Sequence, residues 1–547
     1  MLKGQMMDRP LNVSSLIEFA AEVHSGVSIT TSTVEGGITR TGLPAVKKRI
    51  ARLANVLRKM GVKEGDRVAT LAWNTQRHFE LYYAISGIGA VCHTINPRLF
   101  PEQLTYIVNH AEDKILFFDL TFVPLIQQLR PTFKPIESYV LMTDREHMPP
   151  GEPIPGLQCY EDLLPQGEDT ILWPDLDENA ACALCYTSGT TGEPKGALYS
   201  HRSTVLHALF AASCLPSPFG GDKPLLPVVP LFHVNAWGLP YAAMLTGTPL
   251  VMPGPKLDGE NLFNLLDSQK VYSSWGVPTV WLGLLAEMKK RGRKPENFSE
   301  LIVGGSAAPR AMIETFERDY GINVVHAWGM TEMSPIGTFL RLPPDKQALP
   351  FDERMDIKVR QGQRLYGVEF KLVDDNGVRQ PHDGETQGEL FVRGPAIISG
   401  YYKNEAASKA AFDKEGWFGT GDVAKITPDG YLTLVDRTKD LVKSGGEWIS
   451  SIDVENAALA VKGIANCAVI GVPHPKWNER PLLCVVKQPG AEPTKQEILD
   501  VLATKIAKWQ MPDDIVFVDA LPMTATGKIS KKDLRAKFAD FKLPDMG

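Results

Sequence analysis

The sequence predicts an α/β protein of several lobes, with a large N-terminal domain of helix-covered sheets and a β-rich lobe, followed by a small α+β C-terminal domain. Three observations support this expectation. The chain has 547 residues, more than one hydrophobic core usually holds. Helix-like and strand-like segments alternate along it, as in sheets that helices cover. The pattern changes near Asp436, where strand-like segments give way to amphipathic helices.

The alternation begins with a helix followed by a strand. Residues 44–60 place apolar side chains at helical spacing and end before Gly61, and residues 67–73 are strand-like. The same succession recurs twice. It predicts helices over residues 102–111 and 262–269, and strands over residues 115–118 and 273–275.

A domain junction is expected just after Asp436. Upstream of it the chain is rich in strand-like segments, at residues 388–393 and 431–435. Downstream, helices are predicted over residues 452–459, 497–508 and 531–539. The segment between is short and charged, as hinges are. We therefore expect an N-terminal domain over residues 1–436, a hinge over residues 437–440 and a C-terminal domain over residues 441–547.

The composition excludes several classes of protein. Hydrophobic residues make up 44% of the chain and charged residues 22%, which are ordinary values for a globular protein and argue against disorder. The 58 basic and 64 acidic residues give a net charge of -6, which provides no general basic surface for a nucleic-acid backbone. Nucleic acid is therefore not an expected partner.

The sequence also indicates a compartment. The seven cysteines are odd in number and irregularly spaced, unlike a secreted disulfide framework, and favour a reducing cytoplasm. Asp8, Pro10 and Glu18 interrupt the N-terminal region, so no export signal is expected. Residues 224–255 carry no Lys, Arg, Asp or Glu, but their prolines would break a membrane-spanning helix. We expect buried loops and short strands there.

Cys182 and Cys185 have the spacing of a metal-binding or redox pair. No second ligand pair with zinc-like spacing accompanies them in the sequence, and both lie in an apolar, strand-like segment. Free cysteine in such a segment behaves as a small hydrophobic residue. We therefore expect both side chains to pack in the core.

A phosphate-binding loop is predicted directly after the strand-like residues 181–186. Residues 187–196 have the sequence Thr-Ser-Gly-Thr-Thr-Gly-Glu-Pro-Lys-Gly. Hydroxyl groups, glycines that let backbone N–H groups approach closely, and a lysine together suit a polyphosphate. The loop is not of the Walker A type, because Lys195 precedes a glycine and no Ser or Thr follows it. The alternative is a flexible surface turn.

This loop closely resembles that of the adenylate-forming superfamily, which includes acyl-CoA synthetases, peptide-synthetase adenylation domains and luciferases. Further matching segments follow in the family's order and together span nearly the whole chain: 230–233, 326–332, 416–422, 436–439, 443–450 and 526–528. Within the superfamily, residues 4–7, 73–83 and 92–98 look like those of bacterial medium-chain fatty-acid–CoA ligases and the similar methylmercaptopropionate–CoA ligases.

The resemblance implies a reaction in two steps. ATP activates a fatty acid, of medium chain length, to acyl-AMP with release of pyrophosphate, and coenzyme A then accepts the acyl group to give acyl-CoA and AMP. A short thioether or branched acid, such as 3-methylmercaptopropionate, is the alternative substrate. The resemblance further implies Mg²⁺ as cofactor, a C-terminal domain that is mobile between the two steps, a cytoplasmic location and a homodimer.

Three residues are implied to carry the chemistry. Lys528 would place a fixed cation between the attacking carboxylate and the α-phosphate and so stabilise the transition state. Thr331 would contact the α-phosphate, and Glu332 would help to hold Mg²⁺, a hard cation that prefers oxygen ligands. Without the resemblance, Thr331 and Glu332 could equally form a helix N-cap with its acidic first turn, and Lys528 could be a solvated lysine of a basic tail.

A nucleotide site is implied by the same comparison. Asp422 would accept hydrogen bonds from both ribose hydroxyls, since a carboxylate is an acceptor, although a turn acid is the alternative. Arg437 would contact the ribose or a phosphate. The implied ATP- or AMP-binding residues are Thr187, Ser188, Gly189, Thr190, Thr191, Gly192, Lys195, Gly305, Ser306, Ala307, His326, Ala327, Trp328, Gly329, Asp422 and Arg437.

Three further groups complete the expected site. The acyl-binding residues are His233, Trp237, Val303 and Gly304, with Trp237 as a gate or floor opposite Val303 and Gly304; His233 could equally be a core histidine. The residues implied to bind coenzyme A are Gly445, Gly446 and Trp448, although paired glycines also suit a tight turn between two strands. Lys439 is the implied pivot of the hinge, with an exposed linker lysine as its alternative.

Other functions fit the sequence less well. An amino-acid adenylation domain needs an acid to pair with the substrate ammonium group, and residues 232–238 supply none. A luciferase-like oxygenase shares these motifs but needs a special substrate. A catalytically silent ATP-binding sensor is a further alternative, and it would be expected to have lost Lys528 or Glu332, which are both present.

Overall fold

The computed structural model describes residues 1–2, 4–187, 193–214, 219–444, 447–524 and 528–544. Three sheets form in this part of the chain, with seven, fourteen and five strands. The first two lie in the N-terminal four-fifths of the sequence, and the third is the sheet of a smaller C-terminal domain. The expected α/β architecture is therefore confirmed.

The seven-stranded sheet is parallel except at one edge. Its strands, in spatial order, are Gln158–Cys159, Ser138–Leu141, Asp113–Phe118, Arg67–Leu71, Val91–Thr94, Ala181–Tyr186 and Gly196–Ser200. The last pair is antiparallel, and the candidate phosphate loop connects its two strands. Every residue of Val91–Thr94 is buried, as expected for a central strand that helices cover on both faces.

The fourteen-stranded sheet combines a parallel half with an antiparallel half. Its order is Arg379–Gln380, Glu369–Val373, Gly388–Arg393, Phe418–Ile426, Tyr431–Arg437, Gly362–Arg364, Ile336–Phe339, Asn323–Gly329, Glu300–Val303, Ser273–Gly276, Leu225–Pro227, Leu250–Met252, Ser28–Ser32 and Ile38–Gly42. The antiparallel half, up to the strand Ile336–Phe339, is the β-rich lobe that the sequence predicts.

Helices cover both sheets. In the helix Leu43–Lys59 the predicted apolar stripe is buried at Val46, Ile50, Leu53 and Leu57, which is the pattern of a helix that packs one face on a sheet. The α-helices of this region are Ser14–Val23, Leu43–Lys59, Gln76–Gly87, Pro101–Ala111, Val123–Leu129, Tyr160–Leu163, His201–Cys214, Leu239–Thr246, Gly259–Ser268, Pro278–Arg291, Arg310–Tyr320, Pro344–Gln347, Phe351–Lys358 and Glu405–Ala411.

The C-terminal sheet is mixed. Its strands are Glu447–Ile449, Val442–Ser444, Asn478–Lys487 and Ile464–His474 in order, and Asp514–Phe517 pairs in parallel with Asn478–Lys487. The helices Ser451–Leu459, Lys495–Ala503 and Lys531–Lys537 accompany it. Ser450 caps the first of them by accepting a hydrogen bond from the backbone N–H of Asp453.

Two sequence expectations need correction. The uncharged stretch 224–255 contains short strands as expected, but it also contains the buried helix Leu239–Thr246. Pro240 lies in the first turn of that helix, where its missing N–H has no intrahelical partner to lose. The helix expected over residues 497–508 is shifted and shorter, at Lys495–Ala503, because Thr494 and Glu497 form a capping box that sets its start.

No helix in the described part of the chain is both long and apolar enough to cross a bilayer. The seven cysteines form no disulfide, and all but Cys214 are buried. Cys182 and Cys185 lie in the strand Ala181–Tyr186, and burial raises the pKa of both thiols. They are core residues, as the sequence predicts.

Candidate active site

The two ends of the candidate phosphate loop are tied together by hydrogen bonds. The backbone N–H of Thr187 donates to the carbonyl oxygen of Lys195 over 2.9 Å, and the N–H of Lys195 donates to Oγ1 of Thr187 over 3.1 Å. The strands on either side pair antiparallel. Ser188, Gly189, Thr190, Thr191 and Gly192 lie outside the described residues.

Thr331 and Glu332 lie in a single turn, Thr331–Met333. The hydroxyl of Tyr199, in the strand that follows the loop, donates to the carbonyl oxygen of Thr331 over 2.6 Å. The side chain of Glu332 accepts a hydrogen bond from the hydroxyl of Tyr401 over 2.8 Å. Burial raises the pKa of Glu332, while Tyr401 and the cations Arg437 and Lys195 act in the opposite direction.

Asp422 is the centre of a second polar cluster. It is 3% exposed, and its carboxylate accepts a hydrogen bond from Nε1 of Trp328 over 3.1 Å and pairs with Nε of Arg437 over 2.7 Å. Burial raises its pKa, and Arg437 opposes that effect. Since a carboxylate has about four lone-pair positions, Asp422 keeps the capacity to accept two more hydrogen bonds.

The charge of Lys528 interacts with a carboxylate of each cluster, Glu332 and Asp422. Its Cε lies 3.6 Å from the point that a Cβ on Gly305 would occupy. Burial and the neighbouring Arg437 lower the pKa of Lys528 to about 8, although Asp422 and Glu332 favour its charged form. The C-terminal domain therefore places a lysine against Gly305 of the N-terminal domain. The preceding Thr526 and Gly527 lie outside the described residues.

Two of the predicted acyl-binding residues, Trp237 and Gly304, lie against each other. A Cβ on Gly304 would lie 2.9 Å from Cη2 of Trp237 and 2.9 Å from the carbonyl oxygen of Ala327, so only glycine fits this position. Val303 ends the adjacent strand and is buried. Burial and the nearby Lys528 lower the pKa of His233 to about 3, so this ring is neutral at physiological pH.

Trp237 is presented by an unusual turn. Val234, Asn235, Ala236 and Trp237 all have left-handed backbone angles, with φ between 48° and 57°, a conformation that is rare outside glycine and genuinely strained for valine. The hydroxyl of Tyr82 contacts Oδ1 of Asn235 over 3.2 Å, and Sγ of Cys185 lies 3.4 Å from the same oxygen. The turn is therefore anchored to the seven-stranded sheet.

The remaining nucleotide-site candidates line the ends of two neighbouring strands. Gly305, Ser306 and Ala307 follow the strand Glu300–Val303, with Gly305 at a φ of 80°. His326, Ala327, Trp328 and Gly329 end the strand Asn323–Gly329. Nδ1–H of His326 donates to the carbonyl oxygen of Val359 over 3.1 Å, and burial lowers its pKa to about 4. A Cβ on Gly329 would overlap Pro335.

The expected coenzyme A segment forms a hairpin in the C-terminal sheet. Val442–Ser444 pairs antiparallel with Glu447–Ile449, and Nζ of Lys443 lies 4.9 Å from the ring centre of Trp448. Gly445 and Gly446 lie outside the described residues. Lys439 is exposed, and its neighbour Asp440 forms an ion pair with Arg535 over 2.6 Å.

Sequence reasoning missed two tyrosines of the site. Tyr199 and Tyr401 contact Thr331 and Glu332 through their hydroxyl groups. Tyr401 directly follows Gly400 in a segment without regular periodicity, so a local pattern could not assign it. The only signal was composition, a tyrosine pair beside a glycine in a loop.

The donor set fits Mg²⁺ when phosphate is also present. The described residues contain no group of three or more His, Cys, Asp or Glu side chains able to hold a metal alone. A buried carboxylate such as Glu332 beside a phosphate loop suits Mg²⁺, which is usually bound through one or two carboxylates together with substrate phosphates and water.

Comparison with protein-family models agrees with this geometry. Residues 34–402 match the model described as AMP-binding enzyme, and residues 453–528 match that of the AMP-binding enzyme C-terminal domain. The two matches cover most of the chain, so the protein belongs to the AMP-binding enzyme family, the adenylate-forming enzymes. Its activity class is that of the AMP-forming acid–CoA ligases.

The chain is also similar to individual enzymes over nearly its whole length. It is 50% identical over 538 residues to a 3-methylmercaptopropionyl-CoA ligase of Ruegeria lacuscaerulensis, covering 98% of this chain and 99% of the relative. It is 48% identical over 540 residues to a medium-chain-fatty-acid–CoA ligase of Ectopseudomonas oleovorans, covering 99% of this chain and 98% of that one. Among solved structures, an anthranilate CoA ligase in complex with anthranoyl-AMP matches with a TM-score of 0.85 at 25% identity, covering 97% of this chain and 98% of that one.

Proposed function

We propose that the protein converts a medium-chain fatty acid into its coenzyme A thioester in two steps. The carboxylate first attacks the α-phosphate of ATP to give acyl-AMP and pyrophosphate, and the thiol of coenzyme A then displaces AMP. The observation that carries the proposal is the position of Lys528, whose Cε lies 3.6 Å from the point that a Cβ on Gly305 would occupy, and whose charged form Asp422 and Glu332 favour. A cation there can stabilise both the attacking carboxylate of the substrate and the α-phosphate of ATP, two anions that must react with each other.

Each residue of the first step has a role that its contacts support. Asp422 holds the ribose with the acceptor capacity that Trp328 and Arg437 leave over. The phosphate loop and Lys195 hold the phosphates, Thr331 contacts the α-phosphate, and Glu332 is the residue that would hold Mg²⁺. When bound, Mg²⁺ neutralises phosphate charge and orients the triphosphate.

The acyl chain lies along Trp237, His233 and Gly304 in this proposal. Trp237 and Val303 give the wall apolar surface, and burial lowers the pKa of His233 to about 3 and keeps its ring uncharged, so the wall suits an alkyl chain. The 50% identity to a 3-methylmercaptopropionyl-CoA ligase favours a short thioether acid as the second candidate. The two substrates differ in length and in one sulfur atom. A pocket would distinguish them mainly by the volume that each acyl group fills.

For the second step we propose the domain division of residues 1–436 and 441–547 about a hinge at 437–440. Lys528 and Trp448 both belong to the C-terminal domain but serve different steps. This domain must therefore rotate about Lys439 to bring Gly445, Gly446 and Trp448 to the acyl-AMP. The described contacts of Lys528 support the arrangement for the first step.

The setting of the protein forms part of the proposal. Seven cysteines without a disulfide fit a cytoplasmic enzyme, because a reducing compartment keeps thiols free. The family resemblance further supports a homodimer, which sedimentation or light scattering of the purified protein measures directly.

A carboxylate series tests the function. Acids from propionate to palmitate, together with 3-methylmercaptopropionate, are assayed for ATP–pyrophosphate exchange without coenzyme A and for thioester formation with it. We expect both activities, with the highest kcat/KM at medium chain length. A maximum at 3-methylmercaptopropionate would favour the second candidate. ATP binding without exchange for any acid would show the silent sensor instead.

A further inference from the structure

The loop before the helix Glu405–Ala411 lies along the turn that carries Glu332. The backbone N–H of Ile398 donates to the carbonyl oxygen of Glu332 over 2.9 Å, and Oγ of Ser334 donates to the carbonyl oxygen of Ala396 over 2.8 Å. These two hydrogen bonds, one donated by the loop and one donated by Ser334 beside the turn, hold the first part of the loop against the turn. Tyr401 follows three residues after Ile398.

Tyr401 is held in place from the other side by the helix. Its backbone N–H donates to Oγ of Ser408 over 2.8 Å, and Ser408 itself donates to the carbonyl oxygen of Asn404 over 2.7 Å. Asn404 caps the same helix through its side chain. Gly400 is closely packed here, since a Cβ on it would lie 3.1 Å from Oγ of Ser408. These contacts therefore hold the backbone of Tyr401 in place independently of its side chain.

The side chain of Tyr401 contacts two charged residues at once. Its hydroxyl donates to Oε1 of Glu332 over 2.8 Å, and Nζ of Lys195 lies 5.0 Å from the centre of its ring, within the range of a cation–π contact. Lys195 comes from the end of the phosphate loop, and Glu332 from a different strand connection. One aromatic side chain thus links the anion-binding and the cation-binding parts of the site.

We propose that Tyr401 is a positioning residue that sets both Glu332 for Mg²⁺ and Lys195 for the phosphates. The hydroxyl engages one carboxylate oxygen of Glu332 and so leaves the other to face the metal, while the ring holds the lysine. This inference rests on the proposed function, because it takes Glu332 as the metal-binding carboxylate. It makes separate predictions for the hydroxyl and for the ring.

The test measures metal and nucleotide affinity without turnover. Mn²⁺ replaces Mg²⁺, and its binding to the protein with the non-hydrolysable α,β-methylene analogue of ATP is followed by electron paramagnetic resonance. Nucleotide affinity is measured separately in EDTA. Tyr401→Phe removes the hydroxyl, Tyr401→Leu removes the hydroxyl and the ring, and Tyr402→Phe is the matched control at the next position.

Tyr401→Phe should weaken Mn²⁺ binding about tenfold, the usual cost of losing a residue that orients a metal ligand, with nucleotide affinity in EDTA unchanged. Tyr401→Leu should in addition weaken nucleotide binding in EDTA by about two- to fivefold, the size of an exposed cation–π contact. Tyr402→Phe should change neither. In exchange assays, Tyr401→Phe should raise the Mg²⁺ concentration for half-maximal rate, and saturating Mg²⁺ should restore most of the rate.

Two results would overturn the inference: metal affinity unchanged in Tyr401→Phe, or an equal loss in Tyr402→Phe. Ser408→Ala, which frees the backbone of Tyr401, provides a second variant and should shift metal affinity in the same direction but less. Glu332→Gln separates the inference from its premise. If Glu332→Gln keeps full metal affinity, the proposed role of Glu332 fails; if it loses affinity and Tyr401→Phe does not, only the role of Tyr401 fails.

Discussion

Asp422 and Lys528 lie in the same site, but different kinds of structure hold them. Asp422 is directly opposite Arg437 on the adjacent strands Phe418–Ile426 and Tyr431–Arg437, so the sheet itself fixes this pair. Lys528 lies in the C-terminal domain, and its backbone N–H donates to Oγ1 of Thr524 over 3.1 Å. One half of the site is therefore part of a sheet, whereas the other depends on how the C-terminal domain docks.

A few polar contacts maintain that docking. The backbone N–H of Ser451 donates to Oδ2 of Asp436 over 2.7 Å, Oγ of Ser450 donates to the carbonyl oxygen of Val435 over 2.6 Å, and Asp440 of the hinge pairs with Arg535 over 2.6 Å. Contacts of this kind can be exchanged for others at small net cost, unlike the strand pairing around Asp422. If Asp422 binds the ribose and Lys528 serves catalysis as proposed, mutations should be able to separate ribose binding from catalysis.

Lys528→Ala should have the largest effect on the part of the site that the C-terminal domain supplies. Because the proposed role of Lys528 is electrostatic, adenylation should slow by about 10²–10³, measured as ATP–pyrophosphate exchange. ATP binding should remain, since Asp422 and the phosphate loop are untouched. Supplied with acyl-AMP and coenzyme A, the variant should still form thioester. Equal loss in both half-reactions would show that Lys528 supports the fold instead.

Lys439→Pro tests the movement of the domain. Proline fixes φ near −65°, so the hinge should stay in the arrangement for adenylation. Exchange should persist while acyl transfer from acyl-AMP to coenzyme A falls at least about tenfold, because hinge changes act on gating steps. Lys439→Ala is the control and should keep both activities. Full thioester synthesis by the proline variant would place the pivot elsewhere.

The pH dependence of adenylation tests the electrostatics of Lys528. Its pKa is lowered from its ordinary value to about 8, and in the proposed mechanism the protonated form is the one that acts. As pH rises above about 8, kcat/KM for adenylation should therefore fall about tenfold per unit, since kcat/KM reports the free enzyme. Lys528→Arg keeps its charge over this range and should remove the fall. A level wild-type profile up to pH 10 would contradict the assignment.

The sequence predicts the ordinary parts of this molecule well. Helix Leu43–Lys59 and strand Gly388–Arg393 follow from periodicity, because a buried face repeats at the period of the element. The helix Leu239–Thr246 was missed because it is buried almost all round and so carries no polar face to mark its period.

In the candidate site, too, some residues could be predicted from the sequence and others could not. Glu332 and Lys528 could be proposed from motifs, but Tyr401 could not, since its role arises from contacts between segments far apart in the chain. Nor could the four left-handed residues that present Trp237 be expected. Tertiary contacts hold that backbone against the local preference of valine and alanine.

Trp237→Ala has the smallest expected effect. It tests the part of the site that the N-terminal domain supplies. The indole ring fills the space against Gly304, so its removal should lengthen the acyl pocket. Each additional buried methylene contributes about 0.8 kcal/mol, roughly fourfold in affinity, and the chain-length optimum should move to longer acids by steps of that size. Exchange rates across the carboxylate series measure the shift. Trp477→Ala, at a half-exposed tryptophan of the C-terminal domain, is the control and should leave the profile unchanged. An unaltered profile in a folded Trp237→Ala variant would remove Trp237 from the acyl pocket, and the acyl wall would then have to be sought around His233.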